Sequence, residues 1–162
     1  MQNPKACIYT FRGRNILKAM ANTETQLNEC CVVPYRITAY GPEFCLVTPN
    51  AENRWEFPKI KLGRNDVPDK VRDAAAKMAG LVGQISVEQI GSFVASRKNE
   101  TRSMIGFLMR VEDALEAWPK QKSHRRLWCL AEEARVRIRR KPLRRFIDLA
   151  LQNVREAPRL PR

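Results

Sequence analysis

Most of the residues in this sequence with the chemistry to bind or react are cations. Asp73 and Lys77 stand four apart within a stretch of helical spacing. An acid placed N-terminal to a base at that spacing forms an ion pair on a solvated helix face, worth about 0.3–0.5 kcal/mol. A second group comprises Arg36, Arg54, Lys59, Lys61 and Arg64, with Arg97, Lys98 and Arg102 further on. A third is denser: Lys120, Lys122, Arg125, Arg126, Arg135, Arg137, Arg139, Arg140, Lys141, Arg144 and Arg145. Guanidinium forks and ammonium point charges both suit phosphate oxygens. Catalytic groups are sparser. Glu88, Glu100, Glu112, Asp113, Glu132 and Glu133 are available, yet none recreates three carboxylates at helical spacing. The only histidine, His124, lies beside Arg125 and Arg126, which suits a surface residue better than a general base. No nucleophile motif and no glycine-rich phosphate loop is present.

The elements that must position these groups are legible from periodicity. Residues 54–83 read as a short strand at Trp55 to Phe57, a basic loop from Pro58-Lys59, and one amphipathic helix. Asp66 with Asp69 gives the capping-box spacing, Pro68 falls in the first turn, and Gly80 sits past the end. Val67, Val71, Ala74, Ala75 and Met78 recur at helical spacing and should face a sheet. Before this segment, Cys31 to Ile37 predicts a strand in which Pro34 argues for an edge or a bulge. A turn near Gly41 leads to a second strand from Phe44 to Thr48. After it, Ile85 to Ser96 reads as a strand with a bulge at Gly91, Ser103 to Val111 as its return, and Arg125 to Cys129 as a short strand. Ala131 to Arg140 predicts a helix stopped by Pro142, and Leu143, Phe146, Ile147, Ala150, Leu151 and Val154 form the stripe of a last helix. The expected organisation is an N-terminal extension over 1–29, one domain over 30–156 and a tail over 157–162. Met20 would also serve as a translation start, which would leave residues 1–19 outside the native domain.

The chain has 162 residues, enough for one domain with a substantial core. Thirty Lys and Arg against 17 Asp and Glu give a net charge of +13 and a pI near 10.1, which favours polyanionic partners. Five cysteines form an odd set without metal-ligand spacing. Cys30 and Cys31, adjacent in a strand, should point to opposite faces and act as packing residues. Reduced thiols and the lack of a signal or membrane-spanning pattern lead to a cytoplasmic expectation without membrane contact.

The order of these elements resembles the Nudix hydrolase family. Arg54-Trp55-Glu56-Phe57-Pro58-Lys59 matches the strand and turn that commonly precede that family's signature, and Ala79-Gly80-Leu81 matches its exit. Glu116-Ala117-Trp118-Pro119, Arg125-Arg126-Leu127-Trp128, Leu130-Ala131-Glu132-Glu133-Ala134 and Pro142-Leu143 look like the subgroup acting on diphosphoinositol and diadenosine polyphosphates. The resemblance covers roughly residues 30 to 155 and implies an α/β/α sandwich around a mixed β-sheet. Anchored on Gly80, the family's signature Arg falls on Asp73 and its metal-binding glutamates on Ala74, Lys77 and Met78, with an earlier Glu on Asn65 or Asp66.

Ala74 offers no ligand, Met78 a soft sulfur and Lys77 a positive charge, whereas Mg²⁺ needs hard oxygens. A unit charge ~5 Å from a dication at an effective dielectric of ~20 is repelled by roughly 6–7 kcal/mol, an upper bound because lysine can swing away. The resemblance so altered implies a pseudoenzyme with a degenerate box: a non-catalytic binder of nucleotide or inositol polyphosphates, needing no cofactor, with Lys77 a tethered ammonium that holds phosphate where the metal stood and Lys59 and Arg102 the other expected phosphate ligands. One alternative is an atypical hydrolase that cleaves a diphosphate linkage with Mg²⁺ or Mn²⁺, using carboxylates from outside the helix. Another is an RNA-binding or protein-interaction module that uses the basic surface.

Overall fold

The computed structural model describes residues 27–49, 51–61, 67–97 and 100–156. Six strands form one mixed sheet: β1 (Leu27–Thr38), β2 (Gly41–Pro49), β3 (Lys59–Lys61), β4 (Leu81–Arg97), β5 (Glu100–Ala114) and β6 (His124–Leu130). Three helices complete the described chain: α1 (Val67–Ala79), α2 (Ala131–Arg137) and α3 (Lys141–Glu156). The sheet order is β4-β5-β1-β2-β6, with β3 paired to β1 off this path. The β1–β5 pairing is parallel and the others are antiparallel.

Central strands buried on both faces need continuous apolar runs, and β1 and β2 supply them in Cys30 to Val33 and Phe44 to Val47, all buried. Alternation then divides the core into two layers. On one face Cys31, Val33, Phe44, Leu46 and Met104 pack with Ala134, Ile138, Leu143, Phe146, Ile147 and Ala150 from the α2–α3 side. On the other, Cys30, Val32, Cys45, Val47, Ile105, Phe107 and Met109 pack with Val71, Ala75 and Ala79 of α1. The result is the expected α/β/α sandwich, and Cys30 and Cys31 point to opposite faces as alternation requires. Each large apolar side chain removed from water in these layers contributes about 1.5–3 kcal/mol.

Several expectations are corrected. Trp55 to Phe57 forms only an isolated bridge, Glu56 to Val47, and the strand begins two residues later at Lys59. Pro34 lies in the centre of the sheet rather than at an edge. The Val32 N–H donates to the Pro58 carbonyl at 2.8 Å, so by alternation the Pro34 nitrogen faces the same side. There β1 changes partner, from β3 at Glu29 to Cys31 to β2 at Tyr35 to Thr38. The missing N–H falls in this gap, where it costs no ladder bond. Helix α2 ends at Arg137, and Pro142 occupies the first turn of α3, where its absent N–H is harmless. Register shifts on either side of Gln89 place the expected bulge just before Gly91. The expected cap Asp66 lies outside the described residues. Among the described residues no helix is long and apolar enough to cross a membrane.

Candidate functional site

Helix α1 leaves little chemistry on its exposed side. Val71, Ala74, Ala75 and Ala79 are buried, and Met78 packs partly against the sheet. Asp69, Asp73 and Lys77 are exposed. Asp69 pairs with Arg72 at 3.2 Å, but no ion pair joins Asp73 to Lys77, so the expected i, i+4 bridge is absent. Ala74 is only 4% exposed, so its methyl is part of the packing surface rather than an empty ligand position. Asn65 falls outside the described residues.

The end of α1 is fixed by three contacts. Gly80 takes a left-handed backbone with φ 64° and donates its N–H to the Ala76 carbonyl at 2.9 Å, closing the helix. The Arg126 guanidinium donates to the Ala79 carbonyl at 2.7 Å and to the Leu115 carbonyl at 3.0 Å. It lies 4.4 Å over the Trp118 ring, which covers Gly80. Arg126 is thereby committed to capping and is not available to a ligand.

Beside this helix end is a cleft of about 350 Å³ lined by Arg36, Val111, Glu112, Asp113, Ala114 and Trp128. The Arg36 guanidinium stacks 4.1 Å over the Trp128 ring and donates to Glu43 through Nε at 2.8 Å. Glu112 accepts from Gln84 at 2.8 Å, and Asp113 from the Ala114 N–H at 2.8 Å. Adjacent strand residues ordinarily point to opposite faces. Here Gly83 pairs with Val111 while Val82 pairs with Asp113, which makes Glu112 the extra residue of a β-bulge. The bulge places both acidic residues on the lining of one cleft. Gly83 is required opposite it, because a Cβ there would lie 2.0 Å from the Arg110 carbonyl oxygen.

The three expected phosphate ligands are not brought together. Lys59 pairs across the strands with Cys31, so its side chain shares the α2–α3 face, where Nζ meets Glu56 at 2.9 Å. Arg102 stands two residues before Met104 on the same face, paired in the sheet with Leu27 and Ala95. Lys77 is on α1, across the sheet from both. Of the other basic residues, Arg54 is tied to Glu52 at 2.6 Å, and Arg64 and Lys98 fall outside the described residues. His124 Nδ1 sits 2.9 Å from the Ser123 hydroxyl, and desolvation with the nearby Lys120 charge lowers its pKa. Sequence reasoning missed the cleft. Its signals were Gly83 opposite an adjacent acidic pair, and Arg36 and Trp128 two strands apart.

The cysteines are packing residues. Burial pushes Cys30 and Cys45 up to about 12 and raises Cys31 well above its ordinary value. Among the described residues there is no group of three His, Cys, Asp or Glu side chains placed to hold a metal. Mg²⁺ commonly takes one or two carboxylates together with substrate phosphates, and Glu112 and Asp113 are the acidic residues of the cleft lining.

With this geometry defined, the chain can be compared with known proteins. No family model matches it. Nudix hydrolase 18, mitochondrial, of Arabidopsis thaliana is 27% identical over 135 residues, covering 75% of this chain and 74% of that one. The NUDIX domain of Shewanella oneidensis NrtR, solved with ADP ribose, superposes with a TM-score of 0.65 at 14% identity over 85% of this chain and 97% of that one. A C. elegans Ap4A hydrolase, solved as a binary complex, gives 0.61 at 15% identity over 80% and 98%. The fold is that of the Nudix proteins. By its sequence relative and these structural neighbours together, the chain is a homologue of the Nudix hydrolases.

Proposed function

We propose that this Nudix homologue binds a phosphorylated small molecule, of nucleotide or inositol polyphosphate type, on the α1 side of its sheet without hydrolysing it. The observation that carries this reading is the composition of α1. The positions that the resemblance assigns to metal-binding glutamates hold a buried Ala74, an exposed Lys77 and a partly packed Met78. Among the described residues Lys77 has no carboxylate partner, and it stands at the same end of the helix as the cleft. An ammonium there replaces a bridging cation as the counter-charge for phosphate. Arg36 adds a planar donor already held over Trp128. Neighbours solved with ADP ribose or named for Ap4A hydrolysis support the ligand class.

The bulge supports a second reading. Glu112 and Asp113 both line the cleft, and two carboxylates with substrate phosphates are enough to hold one Mg²⁺. In that case the protein would be a diphosphate hydrolase with its metal carried by β5 instead of α1.

One experiment separates the two. Phosphate release and thermal stabilisation are measured across diadenosine polyphosphates, nucleoside diphosphate derivatives and inositol pyrophosphates, with Mg²⁺, with Mn²⁺ and with EDTA. The binder reading expects no turnover and EDTA-resistant binding that weakens about tenfold in Lys77→Ala, the loss of one charge-assisted hydrogen bond. Metal-dependent turnover that collapses in Glu112→Gln would overturn it in favour of the hydrolase.

A further inference from the structure

The densest charge in the molecule lies far along the chain from the cleft residues of β1 and β5 and takes no part in the proposed function. Residues 120–145 hold eleven Lys and Arg against two Glu, leaving nineteen against fifteen in the rest of the chain. Much of that charge is already committed. Arg126 caps α1, Arg135 pairs with Glu132 and Asp148, and Arg137 pairs with Glu133. What remains is concentrated at the corner between α2 and α3, where Arg139, Arg140, Lys141, Arg144 and Arg145 fall within seven residues. Among the described residues, Arg139, Lys141 and Arg145 are exposed and have no carboxylate partner. Arg140 has only a 3.9 Å contact with Glu56.

The corner is held on a buried apolar base, and Val136, 80% exposed near the end of α2, is the one large apolar side chain that the described residues expose there. Ile138, Leu143, Phe146 and Ile147 are all buried beneath it. The Ile138 N–H donates to Ala134 at 3.0 Å, Leu143 N–H to Arg140 at 3.1 Å, and the Arg144 guanidinium to the Ile138 carbonyl at 2.6 Å. Lys141, Arg144 and Arg145 do not complement the dipole of α3. Helix α3 has no acid in its first turn, where Lys141 and Arg144 stand instead, with Arg145 next. Cations at that end oppose the helix dipole. A fixed surface that concentrates unpaired guanidinium groups against local stability has the features of a polyanion site.

We propose that the α2–α3 corner binds the phosphodiester backbone of a nucleic acid without regard to sequence. Guanidinium forks match phosphate oxygens, and the chemistry is read from the backbone alone. A protein partner would need an apolar or aromatic centre and a membrane an apolar face; one exposed valine, Val136, over otherwise buried apolar residues supplies neither. Stacking on bases is likewise not offered by Trp55, which is 9% exposed beneath Arg125 and Arg137.

The test is fluorescence anisotropy of the full chain with a labelled oligouridylate of about twenty nucleotides, titrated between about 50 and 200 mM salt. Three to four neutralised phosphates on a single strand give a slope of log K against log salt of about −2 to −3. Replacing Arg139, Lys141 and Arg145 together by Ser should weaken binding by at least about tenfold, whereas Arg72→Ser on α1 should change it less than about twofold. Lys141→Glu alone should weaken binding while raising the melting temperature, which a misfolded variant would not do. A slope shallower than about −1, or wild-type affinity in the triple variant, would overturn the proposal. So would an oligoglutamate that competes as well as RNA charge for charge, since the corner would then serve an acidic protein.

Discussion

Replacing Gly80 by Ala tests how the exit of α1 is built. At φ 64° an L-residue is strained, at a cost of about 1–2 kcal/mol. Stiffening the unfolded chain returns about 0.4–1 kcal/mol of that. The new Cβ would stand 2.9 Å from Trp118 Cβ and 3.3 Å from Arg126 Nη1. The arginine can give way, but the tryptophan Cβ is fixed to its backbone, and such overpacking costs about 1–3 kcal/mol. The net expectation is a loss of about 2–3 kcal/mol, which lowers the melting temperature by roughly 5–10 °C in a domain of this size. Equilibrium urea unfolding should show the midpoint falling at constant slope. In a Trp118→Gly background the clashing Cβ is gone and only the backbone cost remains, so Gly80→Ala should cost about 1 kcal/mol there, a coupling of about 1–2 kcal/mol. Equal costs in the two backgrounds, or a cost below about 0.5 kcal/mol in the first, would refute the account of Trp118 as the lid of this helix end.

Two further outcomes follow from the core and the cleft. Cys30, Cys31, Cys45 and Cys129 are buried free thiols and should resist a maleimide in the native protein, reacting only on unfolding. Because burial raises Cys30 and Cys45 from the ordinary thiol value of 9.0 to about 12, the folded state holds protons that the unfolded state releases. Their stabilisation is intact below pH 9 and is lost as pH rises toward 12, at about 1.4 kcal/mol per thiol per pH unit, so urea midpoints should fall steeply in that window. Arg36→Ala removes a partly exposed pair with Glu43 and the stack on Trp128, and should cost about 1–2 kcal/mol in urea unfolding. Arg36→Lys should not restore it, since an ammonium lacks the planar fork.

Much of the fold was readable before the structure because it rests on local periodicity. The stripe from Leu143 to Val154, the glycine stop at Gly80 and the opposite faces of Cys30 and Cys31 all depend on residues close in sequence. The three-residue β3 was misplaced because Trp55 to Phe57 has the better strand composition, while the pairing of Lys59 to Lys61 is decided by the distant Glu29 to Cys31. The site was harder for the same reason. Alternation tells which neighbours share a face but not which face belongs to α1, so Lys59, Arg102 and Lys77 looked compatible and proved to lie across the sheet. Glu112 and Asp113 fell beyond the expected strand end at Val111, whereas β5 runs on to Ala114 and the bulge opposite Gly83 places both on one cleft. Their role was set by an insertion in the register, which side-chain pattern alone does not encode.

The parallel pairing of β1 with β5 also bears on how the protein comes to exist. Every pair in that register joins residues 75 apart in sequence, such as Leu27 with Arg102 and Tyr35 with Arg110. The β1–β2 and β4–β5 hairpins can close locally within microseconds once made. The central strand, however, has no partner on one side until the chain has been synthesised past Arg110. Until then Cys30 to Val33, apolar on both faces, presents an open edge able to pair with another nascent chain. Closing such a distant contact is slow and exposes the intermediate to aggregation. The hazard in making this protein therefore lies in the interval between two hairpins that form early and the one strand pairing that must wait to unite them.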